Sequence, residues 1–279
     1  MHVHRTGDAA EFLDASLPLR SADPVRTNVL GSVATGVTEG IGYDDANFFV
    51  VEDDDGEVVG AALWTAPYKL LLSPMPDDAA VAVADAAVAR SAETGLHPGG
   101  IVGPGGTAEL AAARFGRTFR TARDERILVL HDYLRPRPVA GSARQPDESD
   151  LALLRAWRAA FAEDTGSELT HDETLMMASL RRTWLWEVDG VPVSMAGHAP
   201  IVDTPAARVG RIGPVYTPAD LRGYGYGTAA TAAAVDALLP RVDVVMLFTD
   251  AANVTSNQVY EALGFVHAAD VVEIAFEAP

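Results

Sequence analysis

The run ARVGRIGPVYT reads as a strand, RGYGYG (Arg222–Gly227) follows it after a short lead-in, and an alanine-rich helix then runs to Leu239, stopped by Pro240. Strand, glycine loop and helix in that order constrain the fold more than any other stretch of the chain. They fix a local α/β arrangement and put the loop at a helix N-terminus. Glycines let successive backbone N–H groups converge on an anion. The helix start adds free N–H groups and the positive end of its dipole. Thr228, Ala229 and Ala230 keep the first turn small, so a bulky pyrophosphate has room. The loop reads as a phosphate cradle.

Which phosphate it holds follows from its surroundings. A dinucleotide fingerprint wants glycines at the first, third and sixth positions after a tight strand–loop turn, with an acidic residue near the end of the next strand. The register Gly225, Gly227, Ala230 passes, but TPADL separates the strand from Arg222 and the acidic candidate, Asp243, opens the next strand. A nucleoside-triphosphate loop needs Gly-Lys-Ser/Thr, and Lys69 is the only lysine in the chain. The pattern that fits is Arg-x-x-Gly-x-Gly, formed by Arg222, Gly225 and Gly227.

The rest of the chain falls into two similar halves. Each shows helix, hairpin, strand, helix, strand. In the first, HVHR, Phe48–Glu52, Val58–Thr65 and Arg126–Leu130 read as strands, with helices over Ala9–Leu19, Asp77–Thr94 and Ala108–Phe119. A Gly/Asp-rich connection is expected after Leu19, and GLHPGGIVGPGG is expected to be loop, with Gly103–Gly106 as a turn. RPRPVAGSARQPDESD (Arg135–Asp150) reads as a linker. In the second half, helices are expected over Asp150–Ala162 and Asp172–Arg182. Trp184–Val188 and VPVSMAGHA form a hairpin about Asp189-Gly190, the strongest short hairpin signal. Val242–Thr249 is a strand, Thr255–Leu263 a helix capped by a Thr255/Gln258 box, and Val271–Phe276 a last strand.

Composition excludes several classes. There is no cysteine, which removes disulfides, thiolate metal sites and a cysteine nucleophile. A net charge of −18 argues against a nucleic-acid partner. No membrane span or signal peptide is visible, so a cytoplasmic location is expected. The seven histidines show no metal-ligand spacing.

A second motif lies downstream. TDAANVTSNQVYEALGF (Thr249–Phe265) carries Asn253 seven residues before Tyr260, then Leu-Gly-Phe. Together, VYTPADLRGYGYG and AANVTSNQVYEALGF resemble the GNAT superfamily of acetyl-CoA-dependent N-acetyltransferases. The motif-level match covers about residues 207–265, and the element order extends it over about 135–279. The resemblance implies an α/β (α+β) fold of two tandem acyl-CoA N-acyltransferase-like domains, each a mixed, mostly antiparallel sheet flanked by helices. Residues 1–137 would be a degenerate copy, lacking Arg-x-x-Gly-x-Gly, and 138–279 the acetyl-CoA-binding catalytic domain.

Site roles follow from the resemblance. Val215, Tyr216 and Thr217 end a splayed strand whose free backbone groups would pair with the pantetheine arm and stabilise an oxyanion. Amides of Gly223, Tyr224, Gly225, Tyr226, Gly227 and Thr228 would hold the pyrophosphate. Arg222 either adds charge or braces the loop, and Asn253 would sit by the cofactor arm. Tyr260 matches the general acid that protonates the leaving thiolate, the alternative being a tyrosine packed in the core. Some relatives carry a glutamate at the position occupied here by Phe248, so the base is open among Asp250, Glu187, His198 and a water chain. Trp157, Phe161, Trp184 and Trp186 are core or acceptor-pocket residues. The expected acceptor is a small-molecule or peptide primary amine. A homodimer is left open, as are a catalytically silent acyl-CoA sensor and a dinucleotide-binding oxidoreductase.

Overall fold

The computed structural model describes residues 1–43, 45–166 and 173–277. Strand β1 (His2–Thr6) leads to α1 (Ala9–Ala15), whose start is set by Asp8, its carboxylate accepting the N–H groups of Ala10 and Glu11. α2 (Leu17–Ala22) and α3 (Asn28–Thr38) follow. The connection expected here is thus largely helical. α3 buries Leu30 and Ala34 against Phe12 and Phe48, and that burial overrides the poor helix propensity of its two glycines. The remainder of the half is β2 (Ala46–Glu52), β3 (Val58–Thr65), β4 (Leu70–Leu72), α4 (Asp77–Thr94), β5 (Gly100–Gly103), α5 (Gly105–Arg114) and β6 (Phe119–Leu130).

The second half contains β7 (Ser142–Arg144), α6 (Leu151–Thr165), α7 (Glu173–Leu180), β8 (Thr183–Val188), β9 (Val191–His198), β10 (Val202–Asp203), β11 (Arg208–Tyr216), α8 (Tyr226–Leu238), β12 (Val244–Asp250), α9 (Val254–Ala262) and β13 (Phe265–Phe276). The start expected for α7 at Asp172 lies outside the described residues. Asp189 and Gly190 both take positive φ, 51° and 77°, as a two-residue hairpin turn requires.

Three stretches differ from their sequence reading. The glycine-rich loop contains β5, and its GPGG opens α5 rather than forming a turn. Gly100 is needed there because β13 passes so close that a Cβ would lie 1.9 Å from the Ile274 carbonyl oxygen. The linker contains β7, pinned by Arg144, whose guanidinium holds Asp150 at 2.6 and 2.9 Å and Glu187 at 2.7 Å. β6 and β13 each run to 12 residues, well beyond the short strands expected.

All the described strands form one sheet in the order β1-β2-β3-β4-β5-β13-β6-β12-β11-β9-β8-β7, with β10 on β11. Two tandem α/β units share it. Among the described strands only β4–β5 and β11–β12 pair in parallel, at equivalent places in the two halves. The last strands cross over. β6, from the first half, lies between β12 and β13, while β13 lies between β5 and β6. Their antiparallel ladder runs from Phe119↔Phe276 to Leu130↔Phe265. Each half therefore completes the other's sheet. Helices cover both faces, and α8 packs Ala230, Ala234 and Leu238 against Ile212 and Leu247. No described helix is long and apolar enough to cross a membrane.

The crossing generates a test. Residues 138–279 expressed alone lack the strand between β12 and β13 and should show no cooperative thermal transition by circular dichroism. Co-expression with residues 1–137 should restore one. A cooperative transition in the isolated second half would contradict reciprocal completion.

Candidate active site

β11 and β12 run side by side only from Val209↔Val244 to Ile212↔Leu247. Pro214 then removes a backbone donor, and the pairing of β11 with β9 shifts register between Ile212 and Val215. Beyond this bulge Val215 and Tyr216 stay with β9, opposite Ala196 and Met195. Phe248, Thr249 and Asp250 stay with β6, opposite Ile127, Arg126 and Glu125. The two strands part, and their facing backbone edges are free to pair with an extended ligand.

The glycine loop closes the mouth of this gap. Arg222 donates from Nε to the Thr217 carbonyl at 2.9 Å and pairs with the Asp164 carboxylate, so it braces the loop. Gly223 and Gly225 take left-handed φ of 86° and 83°. α8 starts on Gly225 without a side-chain cap, so the N–H groups of Tyr226, Gly227 and Thr228 have no intrahelical acceptor. A Cβ on Gly227 would stand 3.0 Å from Thr217 Oγ1, which itself lies 2.9 Å from Ser194 Oγ. This concave set of unpaired donors suits a pyrophosphate. The Tyr224 and Tyr226 rings stack with centroids 5.7 Å apart. Tyr226 lines the groove, and Tyr224 lies exposed outside it.

A single groove of about 1090 Å³ joins gap and loop. Val215, Tyr216, Thr217, Arg222, Gly223, Gly225, Gly227, Thr228, Asn253, Asp250 and Tyr260 all line it. Asn253 is the N-cap of α9, its Oδ1 accepting from Ser256 N at 3.0 Å, so the helix starts ahead of the Thr255/Gln258 box expected from the sequence. Tyr260 packs beside Phe265, its hydroxyl unpaired among the described residues. Burial pushes its pKa up to about 12. Asp250 spends Oδ1 on the Ala252 N–H at 2.7 Å, while Oδ2 lies 3.7 Å from Arg123 Nε. His198 also lines the groove. It is buried against Trp184 with Nδ1 on the Ala199 carbonyl, and burial pushes its pKa down. Glu187 does not reach the groove and serves Arg144 instead. Of the four aromatic candidates, Phe161 lines the groove, whereas Trp157, Trp184 and Trp186 pack with the core.

The first half supplies part of the lining, which the sequence reading missed. Ser32, Val33 and Gly36 of α3 form one wall. Arg123 and Glu125 of β6 form part of the floor. Glu125 stands opposite Asp250 and Ile127 opposite Phe248, so the carboxylate shares a sheet face with Phe248 and Asp250. Arg123 is the hub of three carboxylates, at 3.5 Å from Glu125, 3.7 Å from Asp250 and 3.7 Å from Glu273. Lys69 holds Glu273 from the other side at 3.6 Å. Burial, then repulsion from Glu273, raises the pKa of Glu125 against the opposing pull of Arg123. The sequence reading placed a strand only over Arg126–Leu130, and the charged run before it shows no alternation that would extend the strand to Glu125. Its placement in the other half's sheet carried no local signature.

Comparison with known proteins fits this geometry. Residues 151–265 match the acetyltransferase (GNAT) family model. No match is found among curated proteins. Solved structures share the whole architecture. A tandem GNAT protein from the clavulanic acid biosynthesis pathway is 16 % identical with a TM-score of 0.61, the match covering 100 % of this chain and 99 % of that one. A GCN5-related N-acetyltransferase from Kribbella flavida is 16 % identical with a TM-score of 0.61, covering 91 % and 96 %. One from Sphaerobacter thermophilus is 18 % identical with a TM-score of 0.58, covering 99 % and 96 %. At these identities the likeness establishes the fold. Residues 151–265 thus resemble a GNAT domain, and the whole chain shares the fold of a tandem GNAT protein.

The cradle can be tested directly. Gly225→Ala forces a side chain into left-handed backbone, at a cost of about 1 kcal/mol, and brings a Cβ to 3.1 Å from Val139 Cγ1. Calorimetric titration should show affinity for coenzyme A falling about ten-fold, with the thermal midpoint lowered by only a few degrees. Unchanged affinity would contradict the assignment.

Proposed function

We propose that the protein is an N-acetyltransferase that moves acetyl from acetyl-CoA to a primary amine by direct transfer. Residues 138–279 form the catalytic domain, completed by β6 from residues 1–137. One observation carries this reading: an anion cradle, a gap between two strands that have stopped pairing, and an unpaired tyrosine hydroxyl converge on one groove.

In this reading the donor's pyrophosphate rests on the amides of Gly223 to Thr228, and its pantetheine arm enters between β11 and β12 as an added strand. A free N–H at the parted end of β11 polarises the thioester carbonyl. The acceptor approaches over the face that carries Phe248, Asp250 and Glu125. An amine near neutral pH must lose a proton before it attacks. Asp250 is committed to a turn, whereas burial raises the proton affinity of Glu125, so we assign the base to Glu125. Asp250 contributes by holding Arg123 and by adding negative charge beside Glu125. As the nitrogen bonds to the carbonyl carbon, the carbon–sulfur bond breaks and the sulfur takes the proton of Tyr260. The nitrogen sheds its second proton to become the amide, and that proton returns through the groove to the phenolate, which is strongly basic because buried.

Incubation with acetyl-CoA and an amine panel should release free thiol in step with acetylated amine. A protein that binds acetyl-CoA yet turns over no acceptor would contradict the proposal. Tyr260→Phe should lower kcat about 10²-fold with the KM for acetyl-CoA within two-fold. A group whose pKa is raised to about 12 stays protonated below that pH. The wild-type rate should therefore show no loss from Tyr260 ionisation up to about pH 10, and a basic limb in that range that vanishes in Tyr260→Phe would contradict the assignment.

A further inference from the structure

The groove contains five arginines, and three are matched by carboxylates. Arg123 serves Glu125, Asp250 and Glu273; Arg182 pairs with Glu39; Arg222 pairs with Asp164. Arg158 of α6 and Arg211 of β11 are not matched. Arg158 has neither an ion pair nor a hydrogen bond among the described residues, and its Nε is buried without a partner. Arg211 donates to two neutral oxygens, Asn28 Oδ1 at 3.1 Å and Ser32 Oγ at 3.0 Å, and lies 5.9 Å from the Phe248 ring centroid. No carboxylate of the described residues comes within ion-pair distance of it.

Two unmatched guanidinium groups are unexpected in a chain with 39 acidic and 21 basic residues. A buried cation without a counter-charge is costly, and arginine stays charged where lysine would shed its proton. The strain shows in both groups. Loss of water pushes the pKa of Arg158 down, and that of Arg211 down to about 10 against the weaker pull of Glu125. Neither arginine belongs to the pyrophosphate cradle at the start of α8. Arg211 brackets Phe248 on the face where Glu125 stands, which is the acceptor's side of the gap.

We infer that the acceptor is an amine that also carries a carboxylate, bound with its amine toward Glu125 and Asp250 and its carboxylate on Arg158 and Arg211. The planar guanidinium fork matches a carboxylate in two parallel hydrogen bonds, and the ligand supplies the counter-charge that the protein withholds. An amine without a carboxylate leaves both cations buried and unpaired, so the site discriminates against it. This inference rests on the acyl-transfer reading above.

The test uses the full-length protein and matched acceptors: amino acids, their amides, and the amines left when the carboxyl group is removed. Wild type should favour the carboxylated member at least ten-fold in kcat/KM. Arg158→Gln should bring that ratio toward one, and Arg158→Lys should restore part of it. Thermal unfolding confirms that each variant is folded, and Arg211→Gln provides a second probe. A second arm offers acetyl-CoA and succinyl-CoA to a neutral amine. A preference for the succinyl donor with indifference to the acceptor's carboxylate would place the anion on the donor and overturn the inference. Equal turnover of all matched acceptors would overturn it while leaving acyl transfer intact, as would an Arg158→Gln variant that weakened coenzyme A binding without changing the ratio. If no acceptor turned over, calorimetric binding of carboxylated amines that Arg158→Gln abolished would support the site while the transfer reading failed. Absence of such binding would overturn both.

Discussion

The antiparallel ladder between β6 and β13 is the interaction on which the rest depends. It joins two strands that close different halves of the chain, and it inserts each between strands of the other half. A strand left at an open edge exposes a row of unpaired backbone groups. Here those groups are spent on the seam between two tandem units, so one continuous sheet replaces two separate ones. The apolar seam around Ile127, Val209 and Met246 includes Val25 from the first half.

That same ladder shapes the site. Because β6 is the neighbour of β12, its side chains stand beside the parted end of β12 rather than in the half where they are encoded. Glu125 thereby faces Asp250 across the strand pair, with Arg123 between three carboxylates. The position at which some relatives carry a glutamate holds Phe248, and the nearest carboxylate on that face comes from the neighbouring strand. α3 adds a wall through Ser32 and Val33. A first half without a glycine cradle of its own thus has a physical reason to be retained, since the groove is incomplete without it.

Local features were legible in the sequence where local chemistry decides them. The Asp189-Gly190 turn, the glycine loop before α8 and the helix that ends by Leu263 all appear as read. Gly264 also shows why only glycine serves there: its φ is 95°, and a Cβ would lie 1.7 Å from the Asp132 carbonyl oxygen. The convergence of Arg222, Gly225, Asn253 and Tyr260 on one groove followed from two motifs at fixed spacing. What was not legible depended on distant partners. α3 is helical because Phe12 and Phe48 bury its face, β5 is a strand because β13 lies against it, and β7 is a strand because Arg144 ties it to Asp150 and Glu187. Glu125 escaped notice for the same reason, its neighbours being set by a strand crossing that no local pattern encodes.

The central claim is that a strand of the first half supplies the proton acceptor for chemistry carried out in the second. The most direct measurement is the pH dependence of thiol release by Glu125→Gln beside wild type, with the fold verified by thermal unfolding. Glutamine keeps the shape and removes the titrating charge. The account predicts a loss of about 10²-fold or more in kcat, together with loss of the acid limb that Glu125 protonation gives the wild-type profile. Full activity with an unchanged acid limb in Glu125→Gln would contradict it and return the base to the second half's own residues.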